Sequence, residues 1–90
     1  MIQEKHFFVA GNVQGVGFRA AVKKQALSRG IAGYVKNLPD GRVEICAQGE
    51  ADHIEAFLKS IDRKPGLGSI QSIEERPAEI KTVYSNFEIL

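Results

Sequence analysis

Residues 11–19 read Gly11-Asn12-Val13-Gln14-Gly15-Val16-Gly17-Phe18-Arg19, and they connect an apolar segment to a helical one. Gly15 and Gly17 allow the backbone to take positive φ and to turn its N–H groups inward. N–H groups at the start of a helix, together with the guanidinium of Arg19, form a binding site for an anion the size of phosphate. These nine residues therefore predict a strand, an anion-binding turn and a helix in succession.

The segments around this turn follow the periodicities of strands and helices. Lys5 to Ala10 is a short run rich in aromatic and β-branched residues, which predicts a strand. Phe18 to Ser28 carries one helical apolar stripe, and Gly30 stands where a helix C′ glycine belongs. Two further strands, Gly33 to Leu38 and Arg42 to Gln48, are joined by a tight turn at Pro39-Asp40-Gly41.

The second half of the chain adds one helix and two strands. The clearest helical spacing, i, i+3, i+4 and i+7, belongs to Ile54, Phe57, Leu58 and Ile61. Ser69 to Glu75 and Asn86 to Leu90 are predicted as the last strands, the second one short and near an edge of the sheet.

The resulting order is β-α-β-β-α-β with a short extra C-terminal strand. It predicts an α+β fold of the split βαβ type, with two helices on one face of an antiparallel sheet. The first two strands then run parallel with the third between them, so their C-terminal ends share one edge of the sheet. Arg19 follows the first of these ends and Asn37 lies near the second. We therefore expect both side chains to face one cleft.

Size and composition indicate an ordinary globular protein. The chain has 90 residues, 43% of them hydrophobic and 26% charged, so we expect one domain spanning residues 1–90. The net charge of +1 gives no reason to expect a nucleic-acid or membrane partner. The first residues lack the pattern of a signal peptide, and a cytoplasmic monomer is expected.

Several other residues are interpreted as structural rather than functional. Phe18 is expected to anchor the first helix against the sheet. Cys46, the single cysteine, falls on the polar side of its strand and is predicted to be a partly exposed free thiol. His6 and His53 have no ligand spacing and no partner cluster, and there is no cysteine pair, so neither a metal site nor a cofactor is expected.

Two motifs give the chain a resemblance to the acylphosphatase family. The first is Gly11 to Arg19, and the second is Gly33-Tyr34-Val35-Lys36-Asn37-Leu38-Pro39-Asp40-Gly41-Arg42-Val43-Glu44. The resemblance extends over essentially the whole chain. It implies a ferredoxin-like two-layer sandwich and metal-free hydrolysis of acyl phosphates. One departure is the order Pro65-Gly66, where similar sequences often have Gly-Pro, which puts the conformation of the loop from Lys64 to Ser69 in question but not the chemistry.

The resemblance also implies roles for individual residues, and the chemistry agrees with them. Arg19 would bind phosphate, or sulfate in its place, together with the backbone of the turn; the residues concerned are Gln14, Gly15, Val16, Gly17, Phe18 and Arg19. Asn37 would orient the attacking water, because its amide does not titrate and cannot be a general base. Asp40 belongs to the turn, so we hypothesise that a phosphate oxygen of the substrate accepts the proton of the water.

Two other functions share these features. An anion-binding module without turnover, delivering or sensing carbamoyl phosphate, would use the same turn, since larger carbamoyl-transfer proteins carry a similar domain. An RNA-binding domain shares the βαββαβ order, but it stacks bases on aromatic residues of central strands. The strand from Arg42 to Gln48 has no aromatic residue, and a basic excess is absent. A small-molecule acyl phosphate therefore remains the preferred substrate.

Overall fold

Two helices pack on one face of a five-stranded sheet in a computed structural model of the chain, which describes residues 1–15, 17–62 and 68–90. In chain order the elements are β1 Ile2–Asn12, α1 Phe18–Ser28, β2 Ala32–Asn37, β3 Val43–Glu50, α2 Ala51–Asp62, β4 Ser69–Ala78 and β5 Phe87–Ile89. The predicted element order and the predicted bounds of α1 are confirmed. No helix in the described part of the chain is long and apolar enough to cross a membrane.

The strands lie in the order β4-β1-β3-β2-β5. β3 is antiparallel to both β1 and β2, so β1 and β2 run parallel on its two sides, as predicted. β5 lies at the edge, also as predicted, but it pairs with β2 in parallel. The sheet is therefore mixed, and antiparallel in all its other pairs.

β1 and β4 are longer than their sequences suggest. The predicted strand from Lys5 to Ala10 becomes Ile2–Asn12, and β4 continues to Ala78. β1 pairs with β3 on one side and β4 on the other, and Glu4 lies opposite Ala78 in the second ladder. Pairing with β3 extends the strand back to Ile2, and pairing with β4 extends it forward to Asn12, through residues that gave no strand signal.

The core lies between the helices and the inner face of the sheet. The fully buried side chains include Phe7, Val9, Val22, Ala26, Val35, Val43, Ile45, Ile54, Phe57, Ile61 and Phe87. α1 ends as predicted at Gly30, which has φ +68°. The N–H of Ile31 donates to the carbonyl of Ala26 at 3.0 Å, and the N–H of Gly30 donates to that of Leu27 at 3.5 Å, which is a Schellman C-cap.

The outer face of the sheet corrects two predictions. Cys46 does point away from the core, but it is buried, with 1% of its surface exposed. Residues 79–86 pass over this face, where Gln48 donates to the carbonyl of Thr82 and accepts from the N–H of Tyr84. His6, predicted to have no partner cluster, lies among carboxylates and this cysteine. Strand alternation separates the two faces of a sheet but does not show which other segment covers the second one.

Candidate active site

The glycine-rich turn adopts the predicted backbone. Gly15 has φ +72° and Gly17 has φ +81°, both in the left-handed region. Gly17 is the N-cap of α1, and it has no side chain to accept from the N–H groups of the first helical turn. The first turn also contains no acidic residue, so the positive end of the helix dipole faces the turn uncompensated by a carboxylate. Val16 lies outside the described residues, and its predicted contribution stays a prediction.

Two successive residues at the start of α1 have different roles: Phe18 anchors the helix in the core, and Arg19 points to the surface. Phe18 is 3% exposed and packs into the core, which confirms its anchoring role. Because successive helical residues point about 100° apart, the neighbouring Arg19 is directed to the surface, where it is half-buried. Its Nη1 donates to the backbone oxygen of Leu90 at 3.0 Å. The N–H of Leu90 in turn donates to the carbonyl of Val35 in β2 at 2.9 Å.

The side chain of Gln14 links the turn to the β2–β3 hairpin. Its Nε2 donates to the carbonyls of Leu38 and Arg42, both at 2.9 Å. The sequence predicts a role for Gln14 among the phosphate-binding backbone groups but gives no sign of this side-chain contact. The partners lie 24 and 28 residues away in the chain, so no local spacing could indicate them.

Asn37 is the last residue of β2 and its side chain is exposed. Two hydrogen-bonded links from the turn end close to Asn37 in the chain. Gln14 donates to the carbonyl of Leu38. Arg19 donates to Leu90, which in turn donates to the carbonyl of Val35. The turn and the end of β2 are therefore joined at both ends of the turn. These contacts lie at the sheet edge where the predicted topology places Arg19 and Asn37.

A small cavity opens in the turn itself. It measures about 160 Å³ and is lined by Val13, Gly15, Gly17, Phe18, Arg19, Ala20 and Ile89. Arg19 is the charged residue of this lining, so the cavity is suited to an anion. Asn37 is not part of the lining and stands outside it. A larger hollow of about 450 Å³ lies between α2 and β4, but Asp62 and Glu75 line it, and carboxylates repel a phosphate group.

The hairpin turn next to Asn37 is fixed by its own ion pair. Asp40 accepts from the backbone N–H of Arg42 at 3.0 Å and from its Nε at 2.8 Å. These hydrogen bonds lower the pKa of the Asp40 carboxyl. Asp40 thus remains ionised and bound to the hairpin, which agrees with its interpretation as a turn residue rather than a general base.

Comparison with known proteins identifies close relatives of this arrangement. Residues 5–89 match the sequence profile of the acylphosphatase family. The chain is 48% identical over 82 residues to an acylphosphatase from Archaeoglobus fulgidus, covering 91% of each chain. A crystal structure of acylphosphatase from Bacillus subtilis superposes with a TM-score of 0.92 at 33% identity, over 100% of this chain and 99% of that one. Full-length HypF in its phosphate- and nucleotide-bound form also matches, with a TM-score of 0.88 at 34% identity, over 100% of this chain but 12% of that chain.

Proposed function

Since the chain belongs to the acylphosphatase family, we propose that the turn from Gln14 to Arg19 binds the phosphoryl group of an acyl phosphate and that Asn37 orients the attacking water. Family and fold assign to the protein the hydrolysis of acyl phosphates, small molecules that yield a carboxylate and inorganic phosphate. The residues and the mechanism are our proposal. The observation that carries them is the double link between the turn and the end of β2, through Gln14 and through Arg19.

Binding comes from backbone N–H groups and one guanidinium. The N–H groups from Gln14 to Arg19 surround the phosphoryl oxygens at the positive end of α1. The planar fork of Arg19 matches two phosphate oxygens and does not deprotonate. In the ligand-bound protein the guanidinium turns part of its donors from Leu90 to the phosphate. These donors stabilise the charge on the equatorial oxygens in the transition state.

Attack and departure complete the reaction without a titrating side chain. The water donates a hydrogen bond to the side-chain carbonyl of Asn37, which orients it. It then attacks phosphorus in line with the leaving group. The new O–P bond forms as the bond between phosphorus and the acyl oxygen breaks, and the carboxylate leaves with the electron pair. A phosphoryl oxygen takes the proton of the water.

The leaving group explains why we propose a metal-independent reaction. Carboxylic acids have pKa values near ~4, so the departing carboxylate is a weak base and needs neither a proton nor a Lewis acid. Turnover measured in an excess of chelator should therefore equal turnover without it. A loss of activity that added metal restores would contradict this part of the proposal.

Two substitutions separate binding from alignment. With benzoyl phosphate as substrate, Asn37→Ala should lower kcat by at least ~10²-fold while inhibition by inorganic phosphate stays unchanged. Arg19→Ala should lose both turnover and phosphate inhibition, because each of its bonds to a charged group contributes roughly 1.5–3 kcal/mol. Arg29→Ala is the matched control: Arg29 contacts Gln25 and Ser28 at the opposite end of α1, and its loss should leave turnover intact.

The outcomes also distinguish hydrolysis from binding alone. Near-normal kcat in Asn37→Ala removes this residue from the mechanism. The match to a small part of HypF shows that a similar unit occurs within a much longer chain. A wild-type protein that binds phosphate but releases none from benzoyl phosphate would be an anion-binding module. We propose instead that residues 1–90 form a single domain that catalyses the hydrolysis.

A further inference from the structure

We propose that the outer face of the sheet, opposite the helices, binds one zinc-type divalent cation through Glu4, His6 and Cys46. This site is distinct from the phosphate-binding turn and plays no part in the hydrolysis proposed above. It follows from the register of β1 and β3 and from what surrounds the imidazole.

The register of β1 and β3 brings the three side chains together. His6 and Cys46 are direct cross-strand partners, and Glu4 lies two positions before His6 on the same face of β1. One ligand atom from each side chain lies within 4.8 Å of the others. A tetrahedral zinc ion with bonds of 2.0–2.3 Å holds its ligand atoms about 3.5 Å apart. For an ion to bind, the longest separation must therefore shorten by about 1 Å, and the 2.7 Å contact between His6 and Glu4 must widen to a similar spacing.

The chemistry of the three groups suits zinc better than magnesium or calcium. Imidazole nitrogen, thiolate sulfur and carboxylate oxygen are the ligand types of zinc sites, whereas magnesium and calcium prefer oxygen alone. Within the described residues, Glu4, His6 and Cys46 are the histidine, cysteine and acidic side chains that lie close enough together to share an ion. Three protein ligands leave one coordination position for water.

The imidazole of His6 lies between two carboxylates. Its Nε2 lies 2.7 Å from Oε2 of Glu4, on the side of the proposed ion, and its Nδ1 lies 3.5 Å from Oε2 of Glu44. Tyr34 donates its hydroxyl hydrogen to the same Glu44 oxygen at 3.0 Å, which fixes that carboxylate. A carboxylate that accepts from the second ring nitrogen of a ligand histidine is the usual outer partner in zinc sites.

The ligand Glu4 is also held by an outer partner. Gln48, which is buried, donates to Oε1 of Glu4 at 2.7 Å. The other carboxylate oxygen of Glu4, Oε2, lies 2.7 Å from Nε2 of His6. Two of the three proposed ligands are thus oriented before an ion arrives.

A cavity opens beside two of the three proposed ligands, Glu4 and His6, while Cys46 is not part of its lining. It measures about 290 Å³ and is lined by Glu4, His6, Ala78, Glu79, Lys81, Thr82 and Tyr84. The other charged groups of this face are mostly paired with each other: Lys36 lies 3.6 Å from Glu44, and Arg76, the β4 partner of His6, is paired with Glu74. Glu4 and Glu44 are the carboxylates in direct contact with His6.

The test is zinc affinity measured directly. Chelator-stripped protein is titrated with Zn²⁺ by calorimetry, and one ion per chain should bind. His6→Gln and Cys46→Ser should each weaken binding by at least ~10²-fold, and Glu44→Gln by about 10-fold, as for outer partners. His53→Gln is the matched control, because His53 is exposed on α2 and should not change the affinity.

Cobalt gives a second readout that does not depend on stability. Co²⁺ should produce a thiolate-to-cobalt charge-transfer band in the near ultraviolet, which Cys46→Ser abolishes. If Cys46→Ser fails to fold, His6→Gln and the wild-type cobalt spectrum decide. No saturable zinc binding by the wild type, or equal affinity in His6→Gln and the wild type, overturns the proposal. The cluster is then a hydrogen-bond network only.

Discussion

At the scale of single residues, the surroundings of a side chain depend on which other segments pack over it and not on its residue type. His53 on α2 is exposed, whereas His6 on β1 lies between two carboxylates. Cys46 is on the polar side of β3 and is nevertheless buried, because residues 79–86 pass over it. Burial first, and then the charges of Glu4 and Glu44, raise the pKa of its thiol to about 12.

This pKa predicts a slow and pH-dependent thiol. At pH 8 the thiolate fraction of Cys46 is ~10³-fold below that of an ordinary cysteine, so iodoacetamide should label the folded, metal-free protein at least that much more slowly. The unfolded chain releases this proton near its ordinary pKa of 9.0, and the folded protein keeps it to about 12. The free energy of unfolding should therefore be unaffected by Cys46 below pH 9 and fall as the pH rises toward 12.

The urea-unfolded chain is the control for this labelling. It should react at the rate of a free thiol, since neither burial nor the carboxylates act on it. Labelling of the folded protein at the same rate as the unfolded chain would show that residues 79–86 do not cover Cys46.

At the scale of elements, the proposed phosphate-binding turn depends on contacts that lie outside it. Gln14 donates to two hairpin carbonyls. Its replacement, Gln14→Ala, should lower the free energy of unfolding by roughly 1–3 kcal/mol, as expected for two lost hydrogen bonds. It should also lower kcat by roughly 10- to 10²-fold with little change in phosphate inhibition, because Asn37 loses its alignment with the bound phosphate.

A second amide on α1 provides the comparison. Gln25 contacts Arg29 and Ser28 at the end of the helix away from the turn. Gln25→Ala should leave kcat unchanged, as measured with benzoyl phosphate and urea unfolding on both variants. Normal kcat in Gln14→Ala would mean that the hairpin is aligned without this bridge.

Two glycines, one at the C-terminal end of α1 and one in β2, test the packing of that strand. Gly30 has φ +68° and open space around its Cα, so Gly30→Ala should cost about 1–2 kcal/mol in backbone strain. Gly33 has φ +139°, and a Cβ there would lie 1.9 Å from the backbone oxygen of Cys46. Gly33→Ala should therefore cost more than ~4 kcal/mol in urea unfolding. Equal costs for the two variants would contradict the described approach of β2 to β3.

At the scale of the whole molecule, the sequence reveals the helices and the order of the strands better than it reveals the outer face. Apolar spacing in α1 and α2 reports directly on one packed face, so both helices are predicted correctly. The lengths of β1 and β4 depend on backbone pairing, which polar residues do not signal. The covering of Cys46 and the surroundings of His6 depend on contacts across strands and loops. No spacing within one segment could show either.

The turn that we propose as the phosphate site, in contrast, is visible in the sequence. Its glycines and its arginine lie within nine consecutive residues, so their chemistry is visible in the sequence. The contribution of Asn37 follows only once β1 and β2 are placed parallel on either side of β3. The bridge through Gln14 required the structure. The expectation for the loop from Lys64 to Ser69 stays a prediction, since residues 63–67 lie outside the described part of the chain.

We propose above that this molecule holds phosphate in the turn from Gln14 to Arg19. Titration of ¹⁵N-labelled protein with inorganic phosphate, followed by NMR, tests it most directly. We expect saturable shifts of the backbone amides of Gly15, Gly17, Phe18 and Arg19, which Arg19→Ala abolishes, while the amides of His6 and Cys46 on the outer face stay in place. Largest shifts elsewhere in the molecule, or none that saturate at the turn, would contradict the account.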